Sequence, residues 1–212
     1  MTFLEKYGLG AVGFTMLLTA LNMECNLIFE NLLSGNFSIS MDSIINAEFS
    51  AATLLISFGA LIGRATPLQM VALSTAESLF YVINKLWIVF GVFNAEDVGG
   101  TLTIHMFGAF FGLAASYALG PQEKASASNN AASRVSDVFS LVGTTLLWVY
   151  WPSFVGATET EVAANEMHCL TNAIMSLIGS TGAAFFCSQY LNNGKFDAVH
   201  IQNSTLAGGV AI

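Results

Sequence analysis

The chain has 212 residues, of which 54% are hydrophobic and only 9% are charged. A soluble domain carries about 25% charged residues, so this composition excludes an ordinary soluble protein and predicts a polytopic membrane protein in a lipid bilayer. The formal net charge of −8 leaves no basic surface of the kind that nucleic-acid binding requires.

Apolar runs divide the chain into six full spans and the beginning of a seventh. We predict these spans at Gly8–Leu33, Ile44–Gly63, Leu68–Phe90, Asp97–Leu119, Ser136–Val155 and Ala164–Leu191, with the seventh run starting at His200. A helix needs about 20 residues to cross a bilayer, and the seventh run stops short of that length at Ile212. The low-complexity segment 120–135 is typical of a solvated loop. We therefore expect one partial, all-α transmembrane domain over residues 1–212.

The charges of the connecting loops predict the orientation in the membrane. Every second connection carries basic residues, which are Lys6, Arg64, Lys124 with Arg134, and Lys195. The connections between them hold Asp42, Glu96, Glu159 and Glu161 and no basic residue. By the positive-inside rule the basic loops are cytoplasmic, so the fourth span runs from the outside inward. The triplet Asn36-Phe37-Ser38 then lies outside, where it fits a glycosylation acceptor.

Ionisable residues inside or beside the spans need partners. Glu77 lies eight residues before Lys85, too far for a pair along one helix, so each requires a partner on another element or at an interface. Asp137 and Asp197 are predicted to cap helix starts on the cytoplasmic side. His200 is expected to cap a helix or to contact a neighbour.

The cysteines Cys25, Cys169 and Cys187 are scattered through apolar runs without CxxC spacing. They are typical of small core residues, and the sequence predicts no metal site, disulfide or cofactor.

The fourth span carries one imidazole on a strip of small residues. Asp97 is positioned to cap the helix start. At about 100° per residue, His105 shares a face with Gly108, Ala109 and Gly112. A Gly-x-x-x-Gly pair is typical of close helix packing. The simplest interpretation of the strip is therefore a packing face on which the histidine is hydrogen-bonded to a neighbour. An ionisable group at membrane depth more often marks an ion or proton path, and we favour that interpretation for His105.

The run from Asp97 to Gly112 resembles the Rhesus (Rh) branch of the ammonium transporter family. Further matches follow in order at Ser136-Asp137, Trp148–Phe154, Gly194-Lys195 and His200–Val210. The resemblance implies an ammonium-transporter-like helical bundle built from two inverted repeats of five helices and an eleventh helix, assembled as a homotrimer. It also implies that this chain is a part of such a channel, truncated at both ends.

The same resemblance implies roles for four residues. Phe49 and Phe154 match two stacked phenylalanines that close the outer mouth of the pore. Asp97 matches an aspartate that orients the recruitment site without entering the lumen. His105 matches the first of two hydrogen-bonded pore histidines, and the second belongs to a later helix than this sequence contains. Where many relatives carry an acidic residue near the vestibule, this chain has Lys85, which would weaken cation recruitment there.

The implied function is passage of ammonium or ammonia, with carbon dioxide as a further permeant, at the plasma membrane. An ammonium ion loses its hydration on entering hydrocarbon, whereas the neutral amine crosses an apolar lumen along which imidazoles supply hydrogen bonds or a proton relay. The alternative is a non-transporting structural subunit of a membrane complex, which the missing second histidine leaves open. An intramembrane enzyme is disfavoured because no HExxH, GxSxG or paired intramembrane aspartates occur, and one histidine cannot supply both acid and base.

Overall fold

The computed structural model describes residues 2–121, 128–159 and 163–212. Its helices are α1 Gly8–Ser34, α2 Met41–Leu61, α3 Pro67–Ile83, α4 Phe107–Ala118, α5 Arg134–Ala157, α6 Ala163–Leu191, α7 Ala198–Ser204 and α8 Ala207–Ala211. π-Helical segments continue α3 over Asn84–Val92 and lead into α4 over Thr101–Met106. Within the described residues, six helical stretches are long and apolar enough to cross a membrane. The predicted all-α polytopic architecture is confirmed, and the chain is an integral membrane protein.

Side-chain caps set where the helices begin, and they shift two starts from the predicted positions. α2 starts at Met41 because Ser40 and Ser43 cap each other's backbone N–H groups, three residues ahead of the apolar run. At α3 the capping box is Thr66 with Gln69.

Of the two aspartates predicted to cap helices, one is an N-cap in the structure. Asp197 caps α7 as expected, accepting hydrogen bonds from Val199 N at 2.8 Å and His200 N at 3.2 Å. Asp137 lies at the predicted helix start, in the first turn of α5, but the N-cap is Ser133, so its predicted capping role is wrong. A serine at the N-cap reaches the orphan N–H groups directly, and Asp137 is then one turn too late.

Contacts divide the chain into two compact units, which are described separately. The N-terminal unit comprises Leu9–Asp97 and Leu102–Asn129. In it α2 packs on α3 and α4, around a core that includes Leu18, Leu54 and Met70.

Polar contacts fasten α1 to its neighbours within the N-terminal unit. Asn22 donates to the Ser74 carbonyl at 3.1 Å and accepts from Ser50 Oγ at 2.7 Å. Near the other end of α1, Glu30 forms an ion pair with Lys85 at 2.8 Å. Asn22 thus joins α1 to both α2 and α3, and the ion pair joins α1 to the π-helical segment that continues α3.

The end of α4 is closed by a charged side chain from the turn after α2. Arg64 donates to the Ser116 carbonyl at 3.1 Å, and also to Ser116 Oγ and the Gly120 carbonyl. The last carbonyls of a helix have no partner within the helix, and a cation there complements the helix dipole. Arg64 therefore supplies the C-terminal cap of α4.

The C-terminal unit comprises Met1–Gly8, Val98–Thr101 and Asn130–Ile212, and its core includes Trp151, Val155 and Leu177. α6 packs on α5 and on the two short helices α7 and α8. The predicted seventh run is thus not one helix, since α7 ends at Ser204 and α8 begins at Ala207.

The break between α7 and α8 is stabilised by hydroxyl groups of α6. Ser180 Oγ donates to the Thr205 carbonyl and Ser176 Oγ to the Gly208 carbonyl, each at 2.6 Å. Backbone groups released from a helix need other partners where water is excluded, and the two serines lie four residues apart on one face of α6. The small polar residues of this span therefore serve close helix contacts, as the composition predicts.

Candidate functional site

Asp97 caps the fourth span from a distance that the sequence did not indicate. The helical segment begins at Thr101, four residues after the predicted start. Between them Gly99 and Gly100 have φ values of +82° and +69°, which only glycine adopts readily. These two residues curl the backbone so that the Asp97 carboxylate faces the helix start.

The carboxylate of Asp97 accepts three hydrogen bonds from that start. Leu102 N donates to Oδ1 at 2.8 Å, while Thr103 N and Thr103 Oγ1 donate to Oδ2 at 2.8 and 2.7 Å. The predicted capping role is confirmed, although the N–H groups belong to residues five and six positions ahead instead of two or three. The Asp97 side chain is half-buried, and its three hydrogen bonds fix the start of the segment.

A buried tyrosine on α3 extends this contact. Tyr81 is 1% exposed, and its hydroxyl lies beside the Thr103 side chain. Its ring also packs edge-on against Phe107, with centroids 6.2 Å apart. Thr103 is therefore hydrogen-bonded to Asp97 and lies beside Tyr81.

His105 lies in the π-helical segment, two residues after Thr103, and is half-buried. Single π-helical turns are rare and often occur at functional sites. On the predicted strip, Gly108 and Gly112 are buried and Ala109 is exposed.

The two glycines pack directly against α2. A Cβ atom at Gly108 would lie 2.8 Å from the Thr53 carbonyl oxygen, and one at Gly112 would lie 2.9 Å from Ser57 Cα. Both distances are too short for any side chain. The predicted Gly-x-x-x-Gly packing face is confirmed.

A second polar contact lies after His105 in the chain, at Gly108. Ser57 Oγ of α2 is 2.8 Å from the Gly108 carbonyl oxygen and 2.5 Å from Glu77 Oε1. Glu77, on α3, is completely buried. The expected partner of Glu77 on another element is therefore Ser57. Sequence reasoning had no means of choosing that serine, because the two residues meet only through packing.

Lys85 also has the partner that its position requires, and this changes the expectation for its charge. The ammonium group is paired with Glu30 and only 8% of the residue is exposed. The positive charge is therefore balanced within the N-terminal unit and is not presented alone at the surface.

The two phenylalanines belong to different units. Phe49, on α2, is half-buried, and its carbonyl accepts from Thr53 Oγ1 at 2.9 Å. Phe154, on α5, is also half-buried, and its ring packs on Trp151 with centroids 5.7 Å apart. Phe154 thus lies at the rim of the C-terminal core, and its role at the pore mouth stays a prediction.

The other histidines, Cys187 and the predicted glycosylation acceptor lie on the last long helix, on α7 and in the loop before α2. His168 is exposed, whereas His200 Nδ1 lies 3.2 Å from Ser188 Oγ, the neighbour contact that was expected. Cys187 is exposed, so its prediction as a core residue is wrong. Asn36 is exposed, and its side-chain oxygen accepts from Ser38.

No group of three or more His, Cys, Asp or Glu residues within the described part of the chain could hold a metal ion. Of the predicted loop 120–135, residues 122–127 lie outside the described ranges.

Comparison with known proteins gives one consistent result. The sequence profile described as "Ammonium Transporter Family" matches residues 1–212. "Ammonium transporter Rh type A" of Bos taurus is 42% identical over 219 residues, covering 100% of this chain and 50% of that protein. "Ammonium transporter Rh type B" of Homo sapiens is 38% identical over 218 residues, covering 100% of this chain and 47% of that protein.

A solved structure shows the same similarity in three dimensions. The Rh50 protein of Nitrosomonas europaea, described as one of the Rhesus protein family of channels, matches with a TM-score of 0.85 and 32% identity. The match covers 99% of this chain and 56% of that one. The chain therefore spans about half the length of the curated relatives it matches.

Proposed function

The chain belongs to the Ammonium Transporter Family, and we propose that the protein containing it is an Rh-type channel for ammonia or ammonium. The observation that carries this proposal is the position of His105, a single imidazole within an apolar helix that is capped on its outer side by Asp97. A titratable group at membrane depth is costly, and it usually marks an ion or proton path. This chain alone would supply about half of the channel.

The proposed roles follow from chemistry and from the relatives. His105 offers hydrogen bonds to the permeant along an apolar passage, and Asp97 fixes the helix start from which His105 is presented. Phe49 and Phe154 each contribute an aromatic ring to the outer entrance. The residues of the second half of the channel, including a second histidine, complete the passage.

The test is a matched pair of histidine variants in the full-length protein, reconstituted into vesicles. Replacement of His105 by leucine should lower ammonia flux by about tenfold, the equivalent of about 1.4 kcal/mol in barrier height, or change the preference among ammonia, methylammonium and carbon dioxide. His168→Leu, at an exposed position on α6, should leave both unchanged. Stopped-flow measurement of internal pH reports the flux.

The outcome also separates the channel from its alternative. Equal permeability of wild type, His105→Leu and protein-free vesicles would indicate a structural subunit without transport. Flux that is present but insensitive to His105→Leu would retain the channel and remove the histidine from its mechanism.

We further propose a homotrimer in the plasma membrane for the full-length protein. The support is the family relationship, together with the large number of apolar side chains exposed on these helices, which lipid or neighbouring subunits would cover. The mass of the detergent-solubilised particle measures the first part of this proposal.

A further inference from the structure

Glu77 lies where two acceptors compete for one hydroxyl hydrogen. Ser57 Oγ is within hydrogen-bonding distance of both Glu77 Oε1, at 2.5 Å, and the Gly108 carbonyl oxygen, at 2.8 Å. A serine hydroxyl has one hydrogen to donate and two lone pairs with which to accept. The carbonyl of Gly108 has no hydrogen, so Ser57 must donate to it. For the other contact to be a hydrogen bond, the hydrogen must belong to the carboxyl group.

The surroundings of Glu77 lead to the same assignment. The side chain is 0% exposed, and within the described residues its Oε2 atom has no hydrogen-bond partner. Lys85, the cation on the same helix, is already paired with Glu30. An ionised carboxylate buried without a cation and with one unsatisfied oxygen is strongly disfavoured, whereas the neutral acid needs only an acceptor for its O–H group.

We infer that Glu77 is a neutral carboxylic acid in the folded protein and that it positions the His105 segment through Ser57. The chain of donors runs from the Glu77 O–H to Ser57 Oγ, and from the Ser57 O–H to the Gly108 carbonyl, joining α3, α2 and α4. The role at His105 rests on the proposed function, but the protonation state does not.

With this assignment, side chains of α3 lie close to the chain both before and after His105. Tyr81 lies beside Thr103, two residues before His105, and Glu77 contacts Gly108, three residues after it, through Ser57. Glu77 and Tyr81 are four residues apart, so they lie on one face of α3. The two contacts lie on either side of the π-helical turn that carries His105.

Infrared spectroscopy of the full-length protein in vesicles tests the protonation state directly. The difference between wild type and Glu77→Gln at neutral pH should contain the carbonyl stretch of a protonated carboxyl group. The matched control, Glu166→Gln at an exposed position in the first turn of α6, should lose only carboxylate bands. Loss of carboxylate bands in Glu77→Gln would overturn the inference.

A second comparison tests positioning. Glu77→Leu removes the donor, whereas Glu77→Gln keeps an N–H donor for Ser57 and adds no charge. We expect Glu77→Leu to lower the folding equilibrium constant about fivefold and to shift the nuclear magnetic resonance signal of the His105 imidazole, leaving His200 unmoved. Glu77→Gln should restore both. An unshifted His105 signal in Glu77→Leu would remove the positioning role.

Ser57→Ala keeps the test decisive if Glu77→Leu does not fold. It interrupts the same chain from α2 and should shift the His105 signal in the same way. If these signals respond while His105→Leu leaves ammonia flux unchanged, the proposed role of His105 in transport fails and the positioning role stands.

Discussion

At the scale of single residues, the Asp97 carboxylate accepts three hydrogen bonds near the proposed passage. It satisfies two backbone N–H groups and one hydroxyl at the start of a segment whose first turn has no other cap described. The glycines before the helix leave its start conformationally free, so the carboxylate determines where Thr103 lies. Tyr81 lies beside Thr103.

Replacement of Asp97 by alanine should therefore lower the free energy of unfolding by about 2–3 kcal/mol, since it removes a cap and leaves buried donors unpaired. Asp97→Asn, which retains one oxygen acceptor, should fall between alanine and wild type. Denaturation in detergent micelles measures the loss. Asp42→Ala, at an exposed position in the first turn of α2, should change stability by less than about 0.5 kcal/mol. Equal effects of Asp97→Ala and Asp42→Ala would show that the cap contributes nothing particular.

At the scale of helices, the contact between α2 and α4 depends on the absence of side chains at Gly108 and Gly112. Other helical glycines have open space, and Gly59 on α2 is one of them. The same chemical change thus has opposite expected consequences at two positions of the N-terminal unit.

Gly108→Ala should destabilise the protein by about 1–3 kcal/mol, because the added methyl group meets the Thr53 carbonyl and forces the helices apart. Gly59→Ala should be neutral or stabilise by up to about 1 kcal/mol, because alanine restricts the unfolded chain and meets nothing. Melting of the two variants, compared in one detergent, gives both values. A stable Gly108→Ala variant would mean that α2 and α4 are not in close contact.

The sequence predicted these helices better than it predicted their ends and partners. Hydropathy identifies an apolar run, but the start of α2 depends on Ser40 and Ser43, which lie outside that run. The sequence also did not predict the break after α7. The backbone carbonyls at this break accept hydrogen bonds from serines of α6, and no local sequence pattern links those serines to the break. Glu77 was expected to have a partner, but Ser57 is 20 residues away and is selected only by packing.

At the scale of the whole molecule, the alternation of loop charges predicts a definite orientation in the membrane. In a variant without native cysteines, Ser38→Cys should react with a membrane-impermeant maleimide added to intact cells. Asn193→Cys, in the polar turn after α6, should react only after the membrane is permeabilised. Both replaced residues are exposed, so accessibility within the protein does not distinguish them. The reverse pattern of labelling would invert the assignment of every loop.

Arg64 illustrates how one charge serves the protein at two stages of its biogenesis. While the chain is being inserted, the guanidinium group is a basic residue in a short loop and favours retention of that loop in the cytoplasm. Its later acceptors, on Ser116 and Gly120, are synthesised more than 50 residues afterwards. Once they exist, the same group closes the end of α4. A neutral replacement at Arg64 would therefore disturb first the choice of topology during synthesis, and then the finished helix that depends on it.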